Sequence, residues 1–264
     1  MSFAKLTGLG IGTWNIGEDP KKKNDEIAAL HYGLDNGINV SEKLVGEAMK
    51  GYDRSKIYLI SKFYPYHATP ELERKSLEAS LKRLGTDYLD LYLLHWRGNH
   101  RLSDTVRGLQ TLQKEGLIRK WGVSNFDTPD MKELFTVPGG KECFVNEDLY
   151  NLDHRGVEYD LFPWQQKHGV RFIGYSPFNS GNGDSIRVTQ NLKVVARDHD
   201  ATVHQIMLAW AMRSGRILVL SKAGKVSHMK DNIAAQDIKL TEDELRLINA
   251  DFPQPTEKQS LDTI

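Results

Sequence analysis

The chain has 264 residues, a length that suits one large domain. Hydrophobic residues make up 39% of the sequence and charged residues 27%, which is typical of globular proteins and excludes collagen-like, low-complexity and disordered chains. Because 35 lysines and arginines balance 35 aspartates and glutamates, the net charge gives no general attraction to nucleic acid or to an anionic membrane.

Short apolar or β-branched runs alternate along the chain with longer amphipathic runs. Eight short runs predict strands, which lie at residues 9–14, 37–40, 57–63, 88–96, 118–126, 144–150, 170–178 and 217–222. Longer runs between them predict helices, among them those at residues 69–84, 103–115, 157–168 and 203–214.

Several helix boundaries are marked by the residue types that favour them. Thr69 before Pro70 predicts an N-cap, and Asp127 predicts a helix start of the same kind. Glycines predict where helices end, at Gly37, Gly85, Gly116, Gly169 and Gly215.

Eight strands separated by helices, with no linker between them, predict an α/β protein. We expect a (β/α)8 TIM barrel that forms a single domain over residues 1–264, with a loosely attached tail at residues 253–264. An open doubly wound sheet is the competing topology. The glycines of residues 8–12 faintly resemble a dinucleotide fingerprint, but Trp14, Asn15 and Pro20 follow where its helix should begin.

The sequence also predicts the cellular compartment of the protein and several kinds of partner and site that it does not have. A single cysteine, Cys143, excludes an intrachain disulfide and suits a reducing compartment. The sequence shows neither a long apolar run nor the apolar core of a signal peptide, so we expect a cytoplasmic protein with no membrane or nucleic-acid partner. The spacing of the nine histidines matches no transition-metal motif, and no Gly-x-Ser-x-Gly turn of a serine hydrolase occurs.

Polar residues stand at the carboxyl ends of seven of the eight predicted strands. In a barrel the active site lies at these ends, and each polar group there costs desolvation unless it is paired. The residues include Thr13, Asn15, Ser61, Lys62, His95, Ser124, Asn125, Asn146, Glu147, Tyr175, Ser176, Ser221 and Lys222. They predict a ligand site at this rim.

Lys62 and His95 are the candidate catalytic residues of this rim. Lys62 ends an apolar strand, where a lysine either finds an anionic or phenolic partner or extends into solvent. A lone histidine at a strand end, as His95 is, more often packs in the core than reacts. Their occurrence on consecutive strand ends favours a function for both.

Seven short motifs follow one another in order along nearly the whole chain. They are residues 10–14 (Gly-Ile-Gly-Thr-Trp), 61–62 (Ser-Lys), 93–96 (Leu-Leu-His-Trp), 122–126 (Gly-Val-Ser-Asn-Phe), 150–152 (Tyr-Asn-Leu), 174–178 (Gly-Tyr-Ser-Pro-Phe), and Ser221-Lys222 through Asp231-Asn232. In this order they resemble the aldo-keto reductase family. The resemblance implies a (β/α)8 barrel that binds NADPH and reduces aldehydes or ketones to alcohols by hydride transfer.

The resemblance also implies roles for individual residues. Lys62 and His95 correspond to catalytic residues, and His95 donates a hydrogen bond to the substrate carbonyl. Ser124 and Asn125 hold the nicotinamide carboxamide, and Tyr175 stacks on the nicotinamide ring. The other implied cofactor-binding residues are Gly12, Thr13, Trp14, Glu147, Ser176, Pro177, Phe178, Ser221, Lys222, Lys225, His228, Asp231 and Asn232. Trp14 and Trp96 either form aromatic walls of a pocket for small carbonyl substrates or pack under the helices.

Two residues depart from the family pattern in the cofactor site. Glu147 stands where the family usually has glutamine, and a carboxylate cannot donate a hydrogen bond. His228 stands where many members have arginine near the 2′-phosphate of the cofactor. Lys222, Lys225 and Lys230 still offer positive charge, so we expect NADPH rather than NADH.

A larger departure follows the second predicted strand. The family has an Asp-x-x-x-Tyr segment here, whose tyrosine gives the product its proton, but residues 37–40 run straight into a predicted helix at 41–47. Such connections usually take about 2–6 residues. Either the protein carries residues between Val40 and Ser41 that this sequence lacks, which we favour, or the segment is deleted. Nothing in their spacing favours Tyr64 or Tyr66 as a substitute.

Three functions are compatible with these observations. The first is an NADPH-dependent carbonyl reductase. The second, if the segment is deleted, is a barrel that binds NADPH without turnover as a sensor or binding module. The third is a lyase or aldolase that uses Lys62 as a Schiff-base amine, which leaves Tyr175, Lys222 and Asn232 unexplained.

The intact mass of the protein isolated from its source distinguishes a deletion from additional residues. A deletion predicts 30.0 kDa by mass spectrometry. A larger mass, with the excess located between Val40 and Ser41 by peptide mapping, contradicts the deletion.

Overall fold

The computed structural model describes residues 8–36, 44–179 and 186–264, together with the backbone of residues 39–41. Within these ranges eight strands form a parallel sheet in which β8 pairs with β1 and closes the barrel. They are β1 (Gly8–Ile11), β2 (Asn39–Ser41), β3 (Leu59–Phe63), β4 (Leu89–Leu94), β5 (Ile118–Ser124), β6 (Val145–Leu149), β7 (Arg171–Tyr175) and β8 (Ile217–Ser221). The chain is an α/β barrel.

Helices in the described residues connect the strands or follow the last one. They are α1 (Lys23–Asp35), α2 (Val45–Ala48), α3 (Pro70–Leu84), α4 (Leu102–Lys114), α5 (Thr128–Thr136), α6 (Leu161–His168), α7 (Gln190–Asp198), α8 (Val203–Met212), α9 (Val226–Ala234) and α10 (Glu242–Asp251). Short 3-10 turns lie at Arg54–Lys56, Pro65–His67, Gly140–Glu142, Gly156–Glu158 and Ala235–Asp237. Of the helices that the structure describes, none combines the length and apolar character needed to cross a bilayer.

Most predicted boundaries are confirmed. Asp127 caps α5 with a reciprocal capping box. Gly85 and Gly169 end α3 and α6 with φ of 66° and 74°, in the left-handed region that glycine adopts readily. Thr69 stands at the N-cap of α3 as predicted, although its side chain makes no capping hydrogen bond. Gly37 lies outside the described residues.

The connection after the second strand differs from the prediction. β2 continues through Ser41, because Val40 and Ser41 pair with Leu59 and Ile60 of β3. α2 begins only at Val45. The predicted helix at 41–47 is therefore too long, and positions 42–44 separate strand from helix. A connection of this length lies within the usual range, so loop length no longer argues for additional residues.

The barrel interior is built from alternate residues of the strands. An inner cluster contains Tyr58, Ile60, Leu91, Leu93, Val145, Ile173, Leu218 and Leu220. A larger cluster lies between the sheet and the helices. Because side chains alternate between the two faces of a strand, the residue two positions after each inner residue also points inward, but nearer the carboxyl end.

Glu73 is a buried carboxyl group between α3 and α4. It is fully buried, and neither oxygen of its carboxyl group has a hydrogen-bond partner within the described residues. A Cβ at Gly108 of α4 would lie 2.0 Å from Glu73 Oε2, so the glycine makes room for the carboxyl group. Burial raises the pKa of Glu73 to about 9.

The substitution Glu73→Gln should stabilise the protein at pH 8 by about 2 kcal/mol and have little effect at pH 4. The folded state keeps a proton that the unfolded state releases. The stability contribution of Glu73 is therefore complete below the unfolded pKa and is lost as pH rises towards the folded pKa. Urea unfolding at both pH values measures the effect, with Glu78→Gln on the exposed side of α3 as control. Equal pH dependence in wild type and Glu73→Gln would contradict a buried neutral carboxyl group.

Candidate active site

The carboxyl ends of the strands place the predicted catalytic residues together. Lys62 follows the inner residue Ile60 by two positions on β3, and Glu147 and Tyr175 follow inner residues of β6 and β7 in the same way. His95 comes directly after β4, and its backbone N–H donates to the carbonyl oxygen of Phe63 at 3.0 Å. The side chains of Lys62 and His95 line one cavity, as the sequence predicted.

The charge of Lys62 is paired with Glu147. The Lys62 Nζ donates to Glu147 Oε1 in an ion pair that connects β3 to β6. The side chain of Glu147 is only 1% exposed and that of Lys62 is 22% exposed, so the pair is largely withdrawn from water. The second oxygen of Glu147, Oε2, has no hydrogen-bond partner within the part of the chain described. Glu147 thus supplies the anionic partner that Lys62 needs at the end of an apolar strand.

His95 is held in its neutral form. Burial lowers the pKa of His95 to about 4, and the nearby charge of Lys62 acts in the same direction. At neutral pH the imidazole therefore carries one N–H group, which can donate a hydrogen bond without being an acid. This is the state needed to polarise a carbonyl oxygen.

Ser124 and Asn125 form a hydrogen-bonded platform beside the ion pair. Ser124 Oγ donates to the carbonyl oxygen of Glu147 at 2.7 Å, and Asn125 Nδ2 donates to that of His95 at 2.9 Å. The Tyr175 hydroxyl donates to Asn125 Oδ1 at 2.8 Å, and burial raises the pKa of that hydroxyl. Asn125 has a φ of 57°, a left-handed conformation that these hydrogen bonds stabilise. The platform connects five predicted site residues into one unit.

The cavity next to Lys62 and His95 has a volume of about 740 Å³. Thr13, Trp14 and Tyr64 line its mouth, and Trp14 is 62% exposed. Its far wall is the surface of α3, lined by Leu72, Lys75, Ser76, Ala79, Ser80 and Arg83. Trp96 does not line the cavity, although its ring centroid lies 5.0 Å from that of His95. The size and the aromatic rim suit a small organic substrate.

The residues predicted to hold the adenosine end of the cofactor, including its 2′-phosphate, gather where β8 meets α9. Asn232 Nδ2 of α9 donates to Ser221 Oγ of β8 at 3.0 Å. Lys222, Lys225 and His228 are exposed around the amino-terminal end of α9, and Asp231 is exposed one turn further on. A helix amino terminus flanked by lysines favours an anion, so these residues fit a phosphate group.

Other predicted cofactor residues follow the carboxyl ends of neighbouring strands. The Gly12 N–H donates to the carbonyl oxygen of Ser221 at 3.1 Å. Ser176 has a φ of 51°, and its carbonyl oxygen accepts from Asn151 Nδ2 at 2.9 Å. Pro177 and Phe178 come next in the chain, and the ring of Phe178 packs against His204 of α8. These residues follow the carboxyl ends of β1 and β7, which flank β8 in the barrel.

Sequence reasoning missed one feature of the site. It placed Glu147 near the carboxamide but did not anticipate its ion pair with Lys62, which lies 85 positions away in the sequence. Tyr64 lines the cavity, and its ring lies 5.4 Å from that of His95.

Comparison with known sequences identifies the class of protein. The sequence pattern of the Aldo/keto reductase family matches residues 8–250. The chain therefore belongs to the aldo/keto reductase family, as the motifs predicted.

Individual relatives cover almost the whole chain. It is 38% identical to methylglyoxal reductase YeaE of Escherichia coli over 272 residues, covering 98% of this chain and 95% of that protein. A match over 272 residues to a chain of 264 leaves at least eight residues of YeaE without a counterpart, as expected for a chain that lacks an internal segment. It is 28% identical to glyoxal reductase of Bacillus subtilis, covering 93% of this chain and 89% of that protein.

Solved structures agree. An aldo/keto reductase from Klebsiella pneumoniae in complex with NADP and acetate superposes with a TM-score of 0.93 at 39% identity, covering 97% of this chain and 95% of that one. The thermostable aldo-keto reductase Tm1743, in complex with the inhibitor epalrestat, gives a TM-score of 0.82 at 33% identity, covering 92% of this chain and 94% of that one.

The substitution Lys222→Met should weaken NADPH binding about tenfold and leave NADH binding unchanged, because only NADPH carries the 2′-phosphate. Dissociation constants from protein fluorescence, measured for both cofactors, test this. Lys141→Met is the control, since this exposed lysine precedes β6 at the opposite end of the barrel. Equal weakening of both cofactors would remove Lys222 from the phosphate site.

Proposed function

We propose that this chain reduces small aldehydes and ketones to alcohols with NADPH as the hydride donor. The observation that carries the proposal is the meeting of Lys62 and His95 in one cavity of an aldo/keto reductase barrel. Named relatives are methylglyoxal and glyoxal reductases, which act on small carbonyl compounds. Related structures hold NADP or NADPH. A barrel that binds NADPH without turnover is therefore not favoured, and neither is a Schiff-base lyase.

The chain's own residues bind and polarise the carbonyl group. Bound NADPH supplies the hydride. The neutral imidazole of His95 donates a hydrogen bond to the carbonyl oxygen, where negative charge grows as the hydride arrives. One well-placed donor of this kind lowers the barrier by roughly 3–4 kcal/mol. Lys62 adds positive charge to the same wall of the cavity.

The cofactor residues named above extend this proposal. Ser124 and Asn125 lie beside the Lys62–Glu147 ion pair, where the carboxamide would bind, and the unpaired Oε2 of Glu147 can accept from its NH₂ group. Tyr175 offers its ring to the nicotinamide. Thr13 and Trp14, which follow β1, and Ser176, which follows β7, would also contact the cofactor, and Lys222 with Lys225 would meet the 2′-phosphate. Trp14 would flank the substrate at the mouth.

The whole chain would form a single (β/α)8 domain. Its tail, residues 253–264, crosses from α10 towards the mouth, where Lys258 Nζ donates to Asp160 Oδ1 at 2.8 Å and also contacts Asp127. Asp262 Oδ2 lies 2.8 Å from His154 Nδ1. A cytoplasmic location is supported by the single, buried Cys143, which suits a reducing compartment.

The substitution His95→Ala should lower kcat for methylglyoxal reduction by about 10²–10³-fold, because it removes the donor to the carbonyl oxygen. Loss of NADPH absorbance measures turnover, and fluorescence titration should show unchanged NADPH binding. His168→Ala, at the end of α6 and outside the cavity, is the control. Wild-type turnover in His95→Ala would remove His95 from catalysis, and wild-type protein that binds NADPH but consumes none would overturn the proposed reaction.

A further inference from the structure

Reduction of a carbonyl leaves an alkoxide that needs a proton, and this chain lacks the tyrosine that the family uses. Residues 37–47, which span β2 and the start of α2, contain neither aspartate nor tyrosine. If the chain has the proposed function, another group must supply the proton. The inference that follows rests on that function.

Two neighbouring groups are unsuited to be the acid. His95 has a pKa lowered to about 4, so its imidazole has no acidic proton to give at neutral pH. The Tyr175 hydroxyl is engaged with Asn125 Oδ1 and has a raised pKa.

Tyr64 is the one tyrosine among the residues lining the cavity, and all ten tyrosines lie within the described ranges. It is 45% exposed and stacks on Tyr66, with ring centroids 5.1 Å apart.

We propose that the Lys62 ammonium itself protonates the alkoxide, and that Glu147 is the positioning residue that holds it in place. The Lys62 Nζ is bound to Glu147 Oε1 and lies in the wall of the cavity that His95 also lines. An ammonium group carries three N–H donors, so one can face the carboxylate while another faces the substrate oxygen. Glu147 replaces, from β6, the carboxylate that the family places after its second strand.

The step balances in atoms and electrons. A hydride from NADPH forms the new C–H bond, the carbonyl π bond breaks, and its electron pair goes to oxygen. That oxygen takes a proton from Lys62 Nζ, which becomes a neutral amine. The substrate is reduced, the cofactor is oxidised, and a proton from water recharges Lys62, whose side chain is 22% exposed.

Amine rescue tests the role of Lys62 directly. In protein of confirmed 30.0 kDa mass, Lys62→Ala should lose about 10²–10⁴-fold in kcat while still binding NADPH. Added primary amines should restore turnover, with rates that depend on their basicity. Lys62→Arg should be inactive, and added amines should not rescue it, because a guanidinium group keeps the charge but does not release its proton. Turnover in wild type combined with no rescue by any amine would overturn the inference and leave the proposed function intact.

Variants of Glu147 test the positioning role. The carboxylate holds the ammonium group in the wall of the cavity, so Glu147→Gln should lower kcat for carbonyl reduction more than it changes KM, and Glu147→Asp should restore part of kcat. Acetylation of Lys62 by acetic anhydride at one fixed pH, followed by peptide mass spectrometry, reports how the amine is held without turnover. It should be faster in Glu147→Gln than in wild type, because the amine is no longer bound to the carboxylate. Glu18→Gln, which alters an exposed carboxylate at the edge of the same cavity, is the control.

Four further outcomes overturn the inference. Identical acetylation rates in wild type and Glu147→Gln would show that Glu147 does not hold Lys62 in place. Loss of turnover in Tyr64→Phe with unchanged NADPH binding would make Tyr64 the acid. Faster turnover of wild type on addition of phenol would show that the acid is missing rather than replaced. A wild-type protein that binds NADPH but reduces no carbonyl compound would remove both the proposed function and the acid.

Discussion

The site depends on one constraint, which is that side chains alternate between the two faces of each parallel strand. Inward positions near the amino ends carry Ile60, Val145 and Ile173, which fill the barrel. Two residues later the same face carries Lys62, Glu147 and Tyr175. A shift of one residue in any of these strands would turn a polar site residue outward and bury an apolar one in its place. The register of the strands therefore determines both which residues fill the core and which residues form the site.

Within that frame the charges of the site are interdependent. Removing Lys62 and Glu147 from water costs several kcal/mol for each ion, and their mutual attraction offsets the cost only while both are present. The same positive charge adds to the burial that keeps His95 neutral. Loss of one member of the pair would thus change both the charge that stabilises an alkoxide and the protonation of the group that polarises the carbonyl.

Sequence patterns predicted most of the barrel and the rim, because strand order and alternation are local properties that repeat. The partner of Lys62 was not predictable in this way, since β3 and β6 are not adjacent and only closure of the barrel brings their ends together. The start of α2 was misplaced because residues 41–47 have helical composition, whereas pairing of Ser41 with Ile60 extends β2. At Ser41 the hydrogen bonds of the sheet outweigh the local preference of the sequence for a helix.

The far wall of the cavity is helical and includes small side chains of α3 such as Ser76 and Ala79. These side chains project from a helix whose backbone hydrogen bonds close within itself, so replacing them leaves the ladder between strands untouched. The room available to a substrate can thus be enlarged or reduced on one side while the reacting groups stay fixed on the other. In this barrel, substitutions on α3 can therefore change the substrate range, while the strands preserve the fold.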